Sequence, residues 1–134
     1  MSRLLVIDDC DEFRETLGEM LAACGHDVTL AAGPSEAQKL ISAGNFELFL
    51  CDLVMPADEL EDASAMVGVH FISQLAREYP AIPVVAISGE LTGDPLEAVR
   101  QFGAKGALSK PFSQAQLMRL VREILHPTGS PVSP

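Results

Sequence analysis

The stretch RLLVIDDCDEF, residues 3–13, runs four apolar residues straight into two adjacent aspartates, Asp8 and Asp9. Unbroken apolar runs of this kind are typical of strands that are buried on both faces of a parallel sheet. Two neighbouring carboxylates at the end of such a strand repel each other, so a positive partner is needed to favour their charged forms. The stretch therefore predicts a buried parallel strand that ends in an acidic site.

Length and composition indicate one folded domain. The 134 residues suffice for a sizeable core, and a hydrophobic fraction of 48% excludes a disordered chain. We expect no membrane segment, because no apolar run approaches the roughly 20 residues that span a bilayer, and a cytoplasmic location, because the cysteine spacing is not that of a disulfide framework. Residues 1–126 would form the domain, and 127–134, PTGSPVSP, a disordered tail or the start of a linker. The cysteines lack disulfide or metal-ligand spacing and are predicted to be reduced thiols with a packing role: Cys10, Cys24 and Cys51.

The charge of the chain is unevenly placed. The net charge of −10 argues against bulk binding to nucleic acid or to an anionic membrane. Residues 1–94 carry 17 acidic side chains against four basic ones, whereas residues 95–134 carry five basic side chains against two acidic ones. We therefore expect one acidic end and one mildly basic end.

Predicted strands and helices alternate along the chain. The strands are predicted at 3–7, 27–31, 47–51, 82–88 and 106–109, and the helices at 11–24, 33–44, 67–79, about 93–102 and about 112–126. Five such βα units predict an α/β fold with a doubly wound parallel sheet and helices on both faces. Ligands of these sheets bind beyond the carboxyl ends of the strands, at the topological switch point.

Chemically active side chains follow four of the five predicted strands. They are Asp8 and Asp9 after the first, Asp52 after the third, Ser88 after the fourth and Lys110 after the fifth. Three carboxylates at one edge of a sheet suit Mg²⁺, which prefers oxygen ligands. Asp52 could act as a nucleophile that forms an acyl phosphate, while Ser88 and Lys110 hold the other phosphoryl oxygens. The pattern predicts phosphoryl transfer, which depends mostly on positioning and charge neutralisation.

Four fragments resemble the receiver domain of two-component response regulators, including the single-domain chemotaxis regulators: VIDDCDEFR, FLCDLVMP, VVAISGE and ALSKPF. The resemblance covers about residues 3–126 and implies a flavodoxin-like sheet with the strand order 2-1-3-4-5. In this family, Mg²⁺ is held by the acidic pair, the phosphoacceptor and a backbone carbonyl two residues later, which here are Asp8, Asp9, Asp52 and Val54. The phosphate-contacting hydroxyl and lysine of the family match Ser88 and Lys110.

The resemblance implies a phosphoacceptor, phosphorylated on Asp52 by a histidine kinase or a histidine phosphotransfer protein. It implies no enzymatic activity apart from catalysis of its own phosphorylation and dephosphorylation. A downstream protein would bind the face made by the fourth predicted helix, the fifth strand and the last helix. Because the sequence contains no DNA-binding output domain, we expect output through protein–protein contact or onward phosphotransfer, without direct DNA binding.

Two features depart from the family pattern. After Met55–Pro56 the family usually has a glycine within a few residues, whereas here residues 57–68, ADELEDASAMVG, intervene. The acidic insertion, about 58–65, is expected to be either a solvated loop or a segment that covers the metal site or contacts a basic partner. Ala107 stands where the family often has Tyr or Phe three residues before the lysine, so the usual route of signal output is in doubt.

Alternatives from other classes remain open. A hydrolase that uses a phosphoaspartate typically has a second acid two residues after the nucleophile, where this chain has Val54. A flavin-binding module of the same topology would need a hydroxyl- and glycine-rich loop after the first strand, which is lacking. A degenerate receiver could serve only as a scaffold, although the core site residues are all present. Asp8 and Asp9 could also merely cap the first helix.

Overall fold

A computed structural model describes residues 2–53, 65–88, 100–110 and 112–126. The strands in these ranges are β1 (Arg3–Ile7), β2 (Asp27–Ala31), β3 (Leu48–Asp52), β4 (Val84–Ser88) and β5 (Gly106–Ser109). The helices bounded there are α1 (Asp11–Ala23), α2 (Pro34–Ala43), α3 (Ala65–Glu78) and α4 (Gln114–Leu125). Most of the helix predicted at 93–102, nearly all of the insertion and the tail at 127–134 lie outside the described residues. Among the described helices, none has the length and apolar character needed to cross a membrane.

The five strands form one parallel sheet in the order β2-β1-β3-β4-β5. This order confirms the predicted doubly wound fold. The chain leaves β1 toward β2 on one side and later returns to β3 on the other, so β1 and β3 are neighbours although β2 lies between them in sequence. Their carboxyl ends border the switch point, where open α/β sheets bind ligands.

The core lies on both faces of the sheet because alternate strand residues point in opposite directions. Leu4 and Val6 of β1 belong to a cluster that includes buried leucines and a valine of α1 and α4: Leu17, Leu21, Leu117 and Val121. Leu5 and Ile7 belong to a second cluster, with residues of α2 and α3: Ala37, Ile41, Phe71, Ile72 and Leu75. We call these the α1/α4 cluster and the α2/α3 cluster. Burial of each large side chain stabilises the fold by about 1.5–3 kcal/mol.

Local signals set the ends of the helices close to their predicted positions. Gly25, with a φ of 93°, follows α1 in a left-handed conformation that favours glycine. Ser113 caps α4: its Oγ accepts a hydrogen bond from the Gln116 amide at 3.1 Å, and the Gln116 side chain accepts one from the Ser113 amide at 2.8 Å. This capping box places the first helical residue at Gln114, two positions after the predicted start.

Candidate functional site

Asp8 is the first residue after β1 and is almost fully buried, with 1% of its surface exposed. Its backbone amide donates to the Ala31 carbonyl at 3.1 Å, which continues the pairing of β1 with β2. Its Oδ1 accepts a hydrogen bond from the Cys10 amide at 2.9 Å. Cys10 itself is the N-cap residue of α1, and its side chain makes no cap hydrogen bond. The Asp8 side chain thus stabilises the turn into α1 through Oδ1, and its second oxygen, Oδ2, makes no hydrogen bond.

Lys110 places a positive charge beside Asp8 and Asp52, whereas the sequence pattern favoured Mg²⁺ as the partner of the acidic pair. Asp52 is the last residue of β3 rather than the residue after it, and it lies opposite Ile87 of β4. The Nζ atom of Lys110 lies 3.3 Å from Asp52 Oδ2 and 3.6 Å from Asp8 Oδ2. The structure therefore brings the two buried carboxylates and the amine together, as the positions after the strands predicted.

The two members of the acidic pair differ in environment. Asp9 is exposed, whereas burial raises the pKa of Asp8 from 3.8 to about 6. The hydrogen bond from the Cys10 amide and the charge of Lys110 oppose this rise, and the negative charges of Asp52 and Asp9 add to it. Loss of hydration is the largest cause, so repulsion between carboxylates, which the sequence suggested, is a secondary one.

The carboxylates fit a divalent cation. One oxygen from each of Asp8, Asp9 and Asp52 lies within 4.8 Å of the others. Asp8 Oδ2 is buried and makes no hydrogen bond, since Lys110 at 3.6 Å is beyond hydrogen-bond distance. A buried oxygen without a hydrogen-bond donor is costly unless a cation is bound to it. Hard oxygen donors of this kind suit Mg²⁺; Val54, the predicted carbonyl ligand, lies outside the described residues.

Two side chains of α1 that were not predicted as site residues from the sequence approach the site. The ring of Phe13 has Lys110 Nζ 4.0 Å from its centroid. Arg14 donates through Nη1 to the Asp8 carbonyl at 2.8 Å and through Nη2 to Asp11 Oδ1 at 2.5 Å. Their position in the first turn of a helix that starts at the acidic pair is a signal that could have indicated them.

A glycine of α3 lies against the backbone directly after Asp52. A Cβ atom added to Gly68 would overlap the backbone of Leu53. The Leu53 amide donates to the Ile87 carbonyl at 2.9 Å, which ties the end of β3 to β4. Gly68 is the glycine that ends the ADELEDASAMVG segment, and its lack of a side chain allows α3 to approach the residue after Asp52.

Ser88 and Ala107 occupy neighbouring strands. Ser88 is the last residue of β4 and pairs with Ser109, so its backbone lies at the carboxyl edge; its side chain lies outside the described part of the structure. Ala107 is half-buried, pairs with Ala86 and packs against the α2/α3 cluster. A small residue thus lies at the position where the family often has Tyr or Phe.

The packing role predicted for the cysteines is wrong for two of the three. Cys10 and Cys24 are exposed, and only Cys51 is buried. Cys51 lies in β3, where both faces of the sheet are covered, and burial raises its pKa well above the ordinary value. Cys10 and Cys24 stand at the two ends of α1, outside the stripe that α1 buries.

A family model and curated relatives both match this sequence to response regulator receiver domains. The sequence matches the family model of the response regulator receiver domain across residues 4–122. It is 31% identical over 120 residues to a response regulator receiver protein of Anaeromyxobacter, covering 90% of this chain and 47% of that protein. It is 27% identical over 136 residues to the sensory/regulatory protein RpfC of Xanthomonas campestris, covering 98% of this chain and 18% of RpfC. The chain thus spans half or less of these two curated relatives.

A solved structure supports the fold. The chemotaxis protein CheY4 of Vibrio cholerae has a TM-score of 0.79 to this chain at 24% identity, covering 92% of this chain and 98% of CheY4. The family-model match, residues 4–122, extends from β1 into α4 and so includes Asp8, Asp52 and Lys110. The chain belongs to the response regulator receiver domain family, the phosphoacceptor domains of two-component signalling.

Proposed function

We propose that Asp52 of this receiver accepts a phosphoryl group from a histidine kinase or a histidine phosphotransfer protein in a Mg²⁺-dependent reaction. One observation carries the proposal: the Lys110 ammonium lies between the buried carboxylates of Asp8 and Asp52 at the switch point of the sheet. An ammonium in this position can contact phosphoryl oxygens as soon as they reach Asp52. The acidic cluster beside it supplies oxygen ligands for a cation.

In the proposed reaction, a carboxylate oxygen of Asp52 attacks the donor phosphorus. An O–P bond forms, the N–P bond to the donor histidine breaks, and the imidazole leaves after it takes a proton from solvent. Lys110 offsets the charge of the transferred group, and the Ser88 hydroxyl donates to one of its oxygens. Later attack by water would regenerate Asp52, so the domain would catalyse its own phosphorylation and dephosphorylation and turn over no external substrate.

The cation would be held by Asp8, Asp9, Asp52 and the Val54 carbonyl. When bound, it supplies positive charge next to the phosphoryl oxygens, which lowers the electrostatic cost of bringing an anion to an acidic site. The raised pKa of Asp8 is consistent with this role, because a buried carboxylate gains most from a neighbouring cation. Arg14 would keep the Asp8 carbonyl, and with it the turn that carries both acids, in place.

The proposed setting is the cytoplasm, in a two-component pathway. We assign residues 1–126 to the receiver and 127–134 to a tail or linker. The downstream partner would be a protein that binds the face made by residues 93–102, β5 and α4. No direct DNA contact is part of this proposal. Phosphorylation would change the affinity for the partner by shifting a two-state equilibrium.

The test is incubation with acetyl phosphate and Mg²⁺, followed by mass spectrometry of the intact chain. We expect one acid-stable, base-labile phosphoryl group, mapped to Asp52 and absent from Asp52→Asn. Asp27→Asn is the matched control, because Asp27 is exposed in β2 and pairs with Arg3 at 3.5 Å, away from the site. Phosphorylation of Asp52→Asn at the wild-type rate would contradict the assignment, and steady release of inorganic phosphate at high turnover would favour a hydrolase.

A further inference from the structure

Three side chains surround the Lys110 ammonium: two are carboxylates, and the third is an aromatic ring. Its Nζ atom lies 3.3 Å from Asp52 Oδ2, 3.6 Å from Asp8 Oδ2 and 4.0 Å from the centroid of the Phe13 ring. An ammonium within about 6 Å of a ring centroid and over the face is attracted by the ring quadrupole. The Phe13 contact is well inside that range, so the ring interacts directly with the charged end of Lys110.

The third contact matters because lysine is a flexible side chain. Its four-carbon stem loses much rotamer freedom when the ammonium is fixed in one place. The two carboxylates attract the ammonium toward Asp8 or toward Asp52, and they do not by themselves restrain its position in other directions. A ring restrains the ammonium from a third direction without adding negative charge to a site that must accept an anion.

The Phe13 ring is itself fixed. It packs edge-to-face with Phe112, with centroids 5.7 Å apart and an interplanar angle of 89°, and both rings pack against the α1/α4 cluster. Phe13 belongs to the first turn of α1, and Phe112 follows Lys110 by two positions. The aromatic pair therefore links the start of α1 to the segment that carries Lys110.

We propose that Phe13 is a positioning residue that holds the Lys110 ammonium beside Asp52 for phosphoryl transfer. This inference rests on the proposed function, and it adds a specific role for a ring that could otherwise be read as ordinary core. A core role depends on the volume of the ring, whereas a positioning role depends on its electron density. Substitutions that change the electron density of the ring at constant volume therefore distinguish a positioning role from a packing role.

The first measurement needs neither metal nor phosphoryl donor. In the NMR spectrum of the metal-free protein, the ε protons of Lys110 should be shifted upfield by the ring current of Phe13. The shift should disappear in Phe13→Leu and persist in Phe13→Trp. Lys110 ε protons of the wild-type protein at their usual exposed-lysine position would overturn the inference, whatever the phosphorylation assay gives.

The second measurement is the rate of phosphorylation by acetyl phosphate at saturating Mg²⁺. Phe13→Leu should lower this rate about fivefold, and Phe13→Trp should keep it within about twofold of wild type, since tryptophan attracts cations most strongly. Replacement of Phe13 by mono-, di- and trifluorinated phenylalanine should lower the rate step by step at nearly constant volume. Phe71→Leu, which removes a buried ring from the α2/α3 cluster, is the control for lost packing.

The outcomes separate this inference from the proposed function. Phosphorylation of the wild type with rates that do not change across the fluorinated series would overturn the role of Phe13 and leave the function of Asp52 intact. Equal losses in Phe13→Leu and Phe71→Leu, with no rescue by tryptophan, would also overturn it, because packing would then explain the effect. A wild-type protein that is not phosphorylated would overturn the proposed function and this inference together.

Discussion

Lys110 Nζ and Asp52 Oδ2 lie 3.3 Å apart, although the two residues are separated by 58 positions in the sequence. Lys110 follows β5 at one edge of the sheet, and Asp52 ends β3 at its centre, with β4 between them. The long lysine side chain crosses the end of β4 to reach the carboxylate. The contact therefore depends on the relative placement of three strands.

Removal of Lys110 should destabilise the metal-free protein. In Lys110→Ala the carboxylates of Asp8 and Asp52 lose the ammonium that offsets their charge, which should cost about 1–3 kcal/mol of unfolding free energy at neutral pH. Mg²⁺ should restore much of this loss. Urea denaturation with and without Mg²⁺ measures both effects, and Lys105→Ala, at an exposed lysine, is the control. Equal stability of Lys110→Ala and wild type without Mg²⁺ would contradict the role given to this ion pair.

Asp8 should make the metal-free protein less stable as pH rises. Its pKa is about 6 in the folded protein against an ordinary 3.8, so the folded state holds the proton more tightly. The stabilisation from this bound proton is complete below about pH 4 and is lost as pH rises through about 6. Asp8→Asn should thus match wild type near pH 4 and exceed it by about 2–3 kcal/mol at pH 7–8.

Urea denaturation of both proteins from pH 4 to pH 8 measures this difference, with Asp27→Asn as the control for removal of an exposed acid. A difference between Asp8→Asn and wild type that does not vary with pH would show that the Asp8 carboxyl is not the group that titrates. The same proton should compete with the cation, so the affinity for Mg²⁺ should fall below pH 6.

Mg²⁺ should bind the unphosphorylated domain weakly, in the millimolar range, because the protein supplies only part of an octahedral shell. Binding should raise the melting temperature in a concentration-dependent way. Asp8→Asn and Asp9→Asn should each reduce the affinity, whereas Asp11→Asn, whose partner is Arg14, should change it little. Calorimetry that detects no binding at millimolar Mg²⁺, or a full response from the Asp8→Asn, Asp9→Asn double variant, would count against the acidic cluster as the site.

Gly68→Ala should disturb the site through the backbone of Leu53, the residue directly after Asp52. The new methyl group would overlap the Leu53 backbone, so α3 must move away or the residue after Asp52 must shift. We expect a loss of about 1–3 kcal/mol in unfolding free energy, together with slower phosphorylation. Gly18→Ala is the control, because its methyl group would meet only the flexible end of Leu30 while gaining helix propensity. If both variants keep wild-type stability, close approach of α3 to Leu53 is unimportant.

Ala107 should limit the conformational response to phosphorylation. A methyl group offers few contacts that differ between two states, and a modification shifts an equilibrium only by its differential interactions. Hydrogen exchange with and without beryllofluoride, a phosphoryl mimic, should show protection near Asp52 and Ser88 and little change across residues 95–125. Strong changes across that second region would show that coupling does not need a side chain at position 107.

The sequence by itself predicted the strands and helices that the structure describes and the grouping of Asp8, Asp52 and Lys110 at one edge of the sheet. Apolar runs and helical spacing depend on near neighbours, so β1, β2, β5 and the helix ends at Gly25 and Ser113 could be read with errors of two residues or fewer. Because parallel strands end at one edge, the residues after them could be grouped without coordinates. The same reasoning predicted Asp8, Asp52 and Lys110 as one site.

Only the tertiary structure decided how those residues differ in burial and in their contacts. Asp8 is buried and Asp9 exposed, although they are adjacent, because burial depends on which side of the turn faces the sheet edge. The contact of Phe13 with Lys110 depends on how the first turn of α1 packs against the segment that follows β5, about 100 residues later in the chain. Sequence patterns report which groups are present and on which element, whereas distances, desolvation and the resulting pKa values arise from packing between elements that are far apart in the chain.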